Sequence, residues 1–373
     1  MTTWRKAATW LLIGSAITRS VAWAQAPVGG VTFDCSDARL KQSFAWAKAQ
    51  ALSYAHQGDP VGSWYDAALP NREAFCMRDV SHQAMGAHAL GLQGHTLNML
   101  RKFAASVSES RDWCGYWEIN RYDKPAPVDY RSDEEFWYNL PANFDVLAAC
   151  WRMYLWTHDR TYLDDPAFVE FYRRSVTDYV ARWDLSPDKA AGRERFMNTD
   201  SQNPQMSRGI PSYHEGRPGQ TRLGVDLPSF QAAAYRAYAS ILRLQGSVDD
   251  AKAFEAKAAE VERFIDEHFW DQANGQFNEL LLTDGSYRVD GDMRAYVLYA
   301  GAAASPEKIA KTVESLVHGG SVNIEMGSYY PEVFYRYGAH EAAYRKILEL
   351  SDPQTSRREY PEVSFAVVGA IVS

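Results

Sequence analysis

The sequence predicts an all-α fold, an (α/α)6 toroid of about twelve helices arranged as an inner and an outer ring of six. Three observations carry this expectation. Helical patterning runs through nearly the whole chain after residue 26. Long amphipathic helices with one charged face alternate with helices built from small and aromatic residues. The connections are unequal in a systematic way, short in one direction and long in the other. Helices apolar on most sides must be surrounded, whereas amphipathic ones can form an outer layer. A solenoid also stacks helix pairs, but with near-constant repeats and short loops, so the unequal connections favour a closed ring.

In chain order, residues 1–26 have the features of an export signal: Arg5 and Lys6, an apolar run from Ala7 to Ile17, and small-residue cleavage sites at Ala22–Ala24 and Ala24–Ala26. The run is too short to span a bilayer. The expected mature domain is 27–373, periplasmic or secreted, with no membrane association after signal cleavage. Ser36–Gln57 begins it as a charged helix, and Asp79–Leu92 follows as a small, apolar one. Thr96–Ser108 is amphipathic again. The alternation continues with Asn139–Thr157 before Pro166–Trp183 and Leu227–Gln245 before Asp249–Phe269. Then come Asp292–Ala303 before Pro306–His318 and Ile324–Tyr337 before His340–Leu350. Pro361–Ser373 is a last apolar helix; a chain stopping inside it is what a fragment of a longer protein would look like. Strand signals are weak, with Gln276–Leu282 the one segment expected to pair.

Turns out of the apolar helices are short, as at Leu92–Gly94 and Gly246–Val248. The connections into them are long: Glu109–Tyr138, Asp184–Asp226 and Asp271–Gly291. All the long loops then emerge at one end, around the N-termini of the inner helices, and build one rimmed pocket. Long loops on a compact domain usually carry function.

Residues in those loops suit a sugar. Arg78–Asp79 opens the first inner helix, where a carboxylate caps free N–H groups and a guanidinium supplies fixed donors. Trp64, just upstream, and Trp117 and Trp137 in the loop 110–138 offer rings for the apolar face of a pyranose. Glu118 lies among them. Tyr213, His214 and Glu215 stand ahead of an inner helix, with Asp200 and Asp226 as nearby alternatives to Glu215. Glu359 and Glu362 flank the start of the last one. Two carboxylates facing each other across a sugar are what glycoside hydrolysis needs, one protonated and one ionised.

The 373 residues carry 46% hydrophobic side chains and a formal net charge of −8, with no basic run, which argues against a nucleic-acid partner. The four cysteines, Cys35, Cys76, Cys114 and Cys150, allow three disulfide connectivities, and the absence of CxxC or HxxxH spacing argues against a structural metal. No cofactor is called for. The expected partner is an oligosaccharide or polysaccharide.

With Arg78–Asp79 before the second helix and carboxylates before the sixth and twelfth, the chain resembles the six-hairpin glycosidases, the superfamily of glucoamylases, trehalases and α-L-rhamnosidases. The resemblance implies that Arg78 and Asp79 bind the sugar at the cleavage point. It further implies Glu215 as general acid, Glu359 or alternatively Glu362 as base, and a largely inverting outcome. Two rivals stay open. One is another enzyme on the same ring, an unsaturated-uronide hydrolase or a polysaccharide lyase, the lyase using Tyr213 and His214 with Arg208 and Arg217; the other is a non-catalytic carbohydrate-binding protein that would use the pocket without the chemistry.

Overall fold

The computed structural model describes residues 27–193, 206–215, 220–319 and 322–372. Among these residues, twelve principal helices form the expected double ring. The outer ones are α1 (Ala38–Ser53), α3 (Gln93–Ser106), α5 (Pro166–Val176), α7 (Val248–His268), α9 (Pro306–Val317) and α11 (His340–Ser351). The inner ones are α2 (Met77–Ala89), α4 (Ala142–Thr157), α6 (Asp226–Leu244), α8 (Arg294–Tyr299), α10 (Ile324–Arg336) and α12 (Pro361–Val372). Each inner helix packs on the next, and α12 packs on α2, so the ring closes.

Burial separates the two kinds. Inner α6 has 13 of its 19 residues buried, whereas outer α7 has 5 of 21. Inner α12 is buried from Pro361 through Phe365 and again from Val367 through Ala370, while outer α9 buries only Thr312 and Leu316. Small residues let the inner helices come close. A Cβ on Gly86 of α2 would overlap the carbonyl oxygen of Phe365 in α12, so only glycine fits this seam.

Local sequence sets the ends. Asp37 caps α1 by accepting from the backbone N–H groups of Arg39 and Leu40, and Asn323 caps α10 by accepting from Met326. Inner α8 is shorter than its apolar pattern, because Asp292 and Gly301 both take left-handed backbone angles and stop it. Outer α5 breaks at Thr177 and resumes at Asp178–Arg182.

Short strands tie the long loops down at the pocket end. Gln276–Phe277 pairs with Trp270–Asp271, and Leu280–Leu282 lies between Thr221–Gly224 and Tyr287–Arg288. Ala74–Cys76 pairs with Glu118–Asn120 so that Cys76 lies opposite Glu118. The parallel pair Tyr138–Asn139 and Arg208–Ile210 joins the loops ahead of α4 and α6. All four cysteines are free thiols. Among the described residues no helix is long and apolar enough to cross a membrane. The export signal expected at residues 1–26 lies outside the described residues.

Candidate active site

The strand Ala74–Cys76 runs straight into α2 and delivers Arg78 and Asp79 to the mouth of the ring. Arg78 becomes a hub for three carboxylates from three parts of the chain. Its Nε lies 3.2 Å from Asp79 Oδ1, Nη2 3.4 Å from Glu325 Oε2, and Nη1 3.9 Å from Glu215 Oε1. The same guanidinium lies over the Tyr213 ring, 5.7 Å from its centroid. Burial works against the Arg78 charge, but Asp79, Glu325 and Glu215 more than offset it and hold its pKa well above the usual value.

Two lobes meet at Arg78, Glu215 and Glu325. The first, of about 230 Å³, is lined by Asp79, Glu362, Trp117, Glu118, Asp129, Trp137 and Arg72 among others. The second, of about 280 Å³, is lined by Tyr213, His214, Met293, Tyr296, Asn323 and Met326. Glu362 sits in the first turn of α12, and Glu215 lies in the loop leading to α6. Those helices stand three places apart in the ring of six, on opposite sides of its mouth.

The pocket is overloaded with acid. Among the described residues, Asp79, Glu118, Asp129, Glu215, Glu325 and Glu362 face only Arg72 and Arg78 in the first lobe. Burial, then the charges of Asp79 and Glu325, pushes Glu362 well above the carboxylate range. Glu215, whose side chain is 40% exposed, is raised by burial against the pull of Arg78. Asp79 is also raised, chiefly by burial, although the Arg78 guanidinium opposes this. Glu118 is raised far by burial and by Asp129, even with Arg72 Nη1 at 2.6 Å. Carboxyls raised in this way keep their protons to higher pH than free ones do, which suits acid–base chemistry.

Arg78, Asp79, Trp117, Glu118, Trp137, Tyr213, His214, Glu215 and Glu362 all line the two lobes. Two predicted residues do not. Trp64 is 1% exposed, donates from Nε1 to Asp59 at 2.8 Å and stacks on His56, so it is a core residue under the outer hairpin. Glu359 is exposed outside the ring, and its carbonyl accepts from the Tyr54 hydroxyl; the chain enters the ring only at Pro361, which leaves Glu362 at the mouth. Asp226 is fully buried and engaged with the backbone of the Glu215 loop. Asp200 and Arg217 lie outside the described residues. Arg208 reaches Asp112 at 3.4 Å and the Asp133 carbonyl rather than either lobe.

Sequence reasoning missed Glu325 and Arg72, and it did not single out Asp129 from the other carboxylates of the loop 110–138. Glu325 had a readable signal. Inner helices α2, α4, α6, α10 and α12 each carry a first-turn carboxylate: Asp79, Asp145, Asp226, Glu325 and Glu362. Most rings of the loop 110–138 turned out to be structural. Arg174 covers Trp113 and Arg111 covers Tyr116, leaving Trp117 and Trp137 for the pocket. Among the described residues no group of three His, Cys, Asp or Glu is arranged to hold a metal.

No protein-family model and no curated protein sequence matches the chain. Solved structures do. A GH78 family rhamnosidase of Bacillus sp. GL1 superposes with a TM-score of 0.63 at 13% identity, over 91% of this chain and 35% of that one. A rhamnosidase from Klebsiella oxytoca with rhamnose bound gives 0.60 at 10%, over 87% and 56%. A GH63 mannosylglycerate hydrolase from Thermus thermophilus in complex with glucose gives 0.54 at 14%, over 87% and 98%. The fold is that of the (α/α)6-barrel glycosidases. The chain spans about a third of the length of the Bacillus enzyme and just over half of the Klebsiella enzyme.

Proposed function

We propose that the chain is an exported glycoside hydrolase that cleaves a neutral sugar from its leaving group with inversion. The observation that carries the reading is the placement of Glu215 and Glu362. They come from opposite sides of the ring into a pocket that also holds Arg78–Asp79 and two tryptophans. Glu215, at the junction of the lobes, is the acid that protonates the leaving oxygen. Glu362 is the base that takes a proton from the attacking water on the other face of the ring. Asp79 and Arg78 hold hydroxyls, and Trp117 and Trp137 cover the apolar face. The excess of carboxylates repels a uronate, which disfavours the lyase reading. The structural neighbours described with rhamnose or glucose bound likewise hold neutral sugars.

Burial raises both Glu362 and Glu215 above the ordinary carboxylate value. Leaving-group kinetics test the assignment. Glu215→Gln should spare activated aryl glycosides and fluorides, whereas Glu362→Gln should suppress every substrate; the reverse pattern would exchange the roles. A panel of aryl glycosides and oligosaccharides, with product anomers followed by NMR, tests the activity itself. Binding without turnover across the panel would leave a carbohydrate-binding protein. Export is tested by fractionating cells that express the full chain.

A further inference from the structure

The loop Pro211–Glu215 is anchored by polar groups that the chemistry above does not use. Asp226, in the first turn of α6, is fully buried and directs both carboxylate oxygens at this loop. Oδ1 accepts from Ser212 Oγ at 2.9 Å, and Oδ2 accepts from the backbone N–H of Tyr213 at 2.5 Å. Because the Ser212 hydroxyl donates its proton to Asp226, its oxygen is left as an acceptor. It takes the backbone N–H of His214 at 2.9 Å, one residue before Glu215. Asn139 Nδ2 fixes the Ser212 carbonyl at 2.8 Å, and Tyr213 reaches Asp145 Oδ2 at 3.2 Å. Gly224 leaves room for the bridge, since a Cβ there would overlap both Asp226 Oδ1 and Ser212 Oγ.

We propose that Asp226 and Ser212 are positioning residues that set the Glu215 carboxyl at the proton-donating distance from the leaving oxygen. Two successive backbone N–H groups, of Tyr213 and His214, are held by one carboxylate and one hydroxyl, so the two residues before Glu215 cannot drift independently. Bonds to a charged carboxylate inside the barrel wall are stronger than neutral ones, and here they fix three residues to place the fourth. Neither Asp226 nor Ser212 lines either lobe. They act through Glu215 and are not catalytic themselves. This inference rests on Glu215 being the acid.

The test compares Asp226→Asn, Ser212→Ala and Glu215→Gln on methyl and dinitrophenyl glycosides of the sugar that the panel selects. Misplacing a reacting group by about 1 Å costs roughly a hundredfold. Both anchor variants should therefore lose roughly 10- to 100-fold in kcat on the methyl glycoside. They should stay within about threefold on the dinitrophenyl glycoside, which departs without a proton, and keep KM and a cooperative melt. Ser212→Ala removes one hydroxyl and decides the matter if Asp226→Asn fails to fold. Equal losses on both substrates, or no loss on either, would overturn the inference while Glu215→Gln remains selective. If Glu215→Gln itself showed no selectivity, the acid assignment and this inference would fall together.

Discussion

The two ends of the barrel hold cavities of similar size and opposite character. One of about 310 Å³, between α2, α10 and α12, lies at the far end and is lined by His82, Ser328, Glu332 and Arg336. Another of about 230 Å³ adjoins it beside Arg152 and Arg236. There the charges are matched. Arg152 donates to the Tyr299 hydroxyl at 2.6 Å and the Ser81 carbonyl at 3.0 Å, Arg236 pairs with Glu262, and Arg336 pairs with Glu332. His82 is driven down to about 3, mostly by burial, and stays neutral. At the pocket end the carboxylates outnumber the guanidiniums, and burial with mutual repulsion raises Asp79, Glu118 and Glu362. Cavity volume does not mark the site; uncompensated charge does.

The sharpest way to break this contrast is to remove one carboxylate from each end. Glu362→Gln should lower kcat by about 10²–10⁴-fold on every substrate, the usual loss for a missing acid or base. Glu332→Gln at the far end should leave kcat/KM within about threefold, since a partly exposed ion pair contributes little. Comparable losses at both ends would mean that the far cavity takes part in turnover.

Next in size is Asp79→Ala. Losing a charge-assisted bond to a sugar hydroxyl costs roughly 1.5–3 kcal/mol, or about one to two decades in kcat/KM. A cooperative melt should persist. Retained specific activity in a protein that no longer melts cooperatively would make Asp79 a structural residue instead.

Stability should be most sensitive between the ends, at the seam. Gly86→Ala forces a methyl into the Phe365 backbone and should destabilise the fold by about 1–3 kcal/mol or more. Denaturant unfolding would measure it. An unchanged midpoint would mean that α12 does not close the ring as tightly as the backbone contact implies.

The remaining contrast is in pH. Asp145 and Glu279 are held up to about 7, and Asp226 up to about 6, mainly by burial. Unfolded carboxylates titrate near about 4, so between about pH 4 and 7 the folded chain binds more protons than the unfolded one. The stabilisation linked to these groups is complete below the unfolded value and is lost as pH rises through the folded ones. Tm should therefore be higher near about pH 5 than near about pH 8. Asp133 sets the acid limit: partial burial notwithstanding, hydrogen bonds from Ser110, Tyr130 and Arg111 hold it down to about 2. An equal or lower Tm near about pH 5 would show that burial does not raise Asp145, Asp226 and Glu279 in the fold.

The double ring was legible because burial writes itself into composition: Pro361–Val372 is nearly all apolar and Val248–His268 is not. The Arg78–Asp79 and Glu215 placements were legible because long loops and helix starts are visible in the chain. Sequence alone favoured Glu359 over Glu362, yet Glu362 is the one that lines the pocket, because which of two carboxylates three residues apart faces inward is decided only in three dimensions. Trp64 looked available and is buried, because nothing local announces that the hairpin Ala55–Tyr65 packs over α3. Arg72 and Asp129 meet 57 residues apart through strand pairing that the sequence barely signals.

The seam between Gly86 and Phe365 has a consequence for synthesis. The ring's first and last inner helices are neighbours, and Ser43 of α1 bonds Ser351 of α11 across 308 residues at 2.7 Å. As the chain leaves the ribosome, the apolar flank of α2 has no lasting cover until α12 has been made. Contacts of such long sequence separation form slowly and leave sticky surface exposed in the interval. A nascent barrel of this kind should lean on chaperones until its final turn arrives. A circular permutant that joins α12 to α1 and opens an outer loop would make the seam a local contact, and it should refold faster than the natural order.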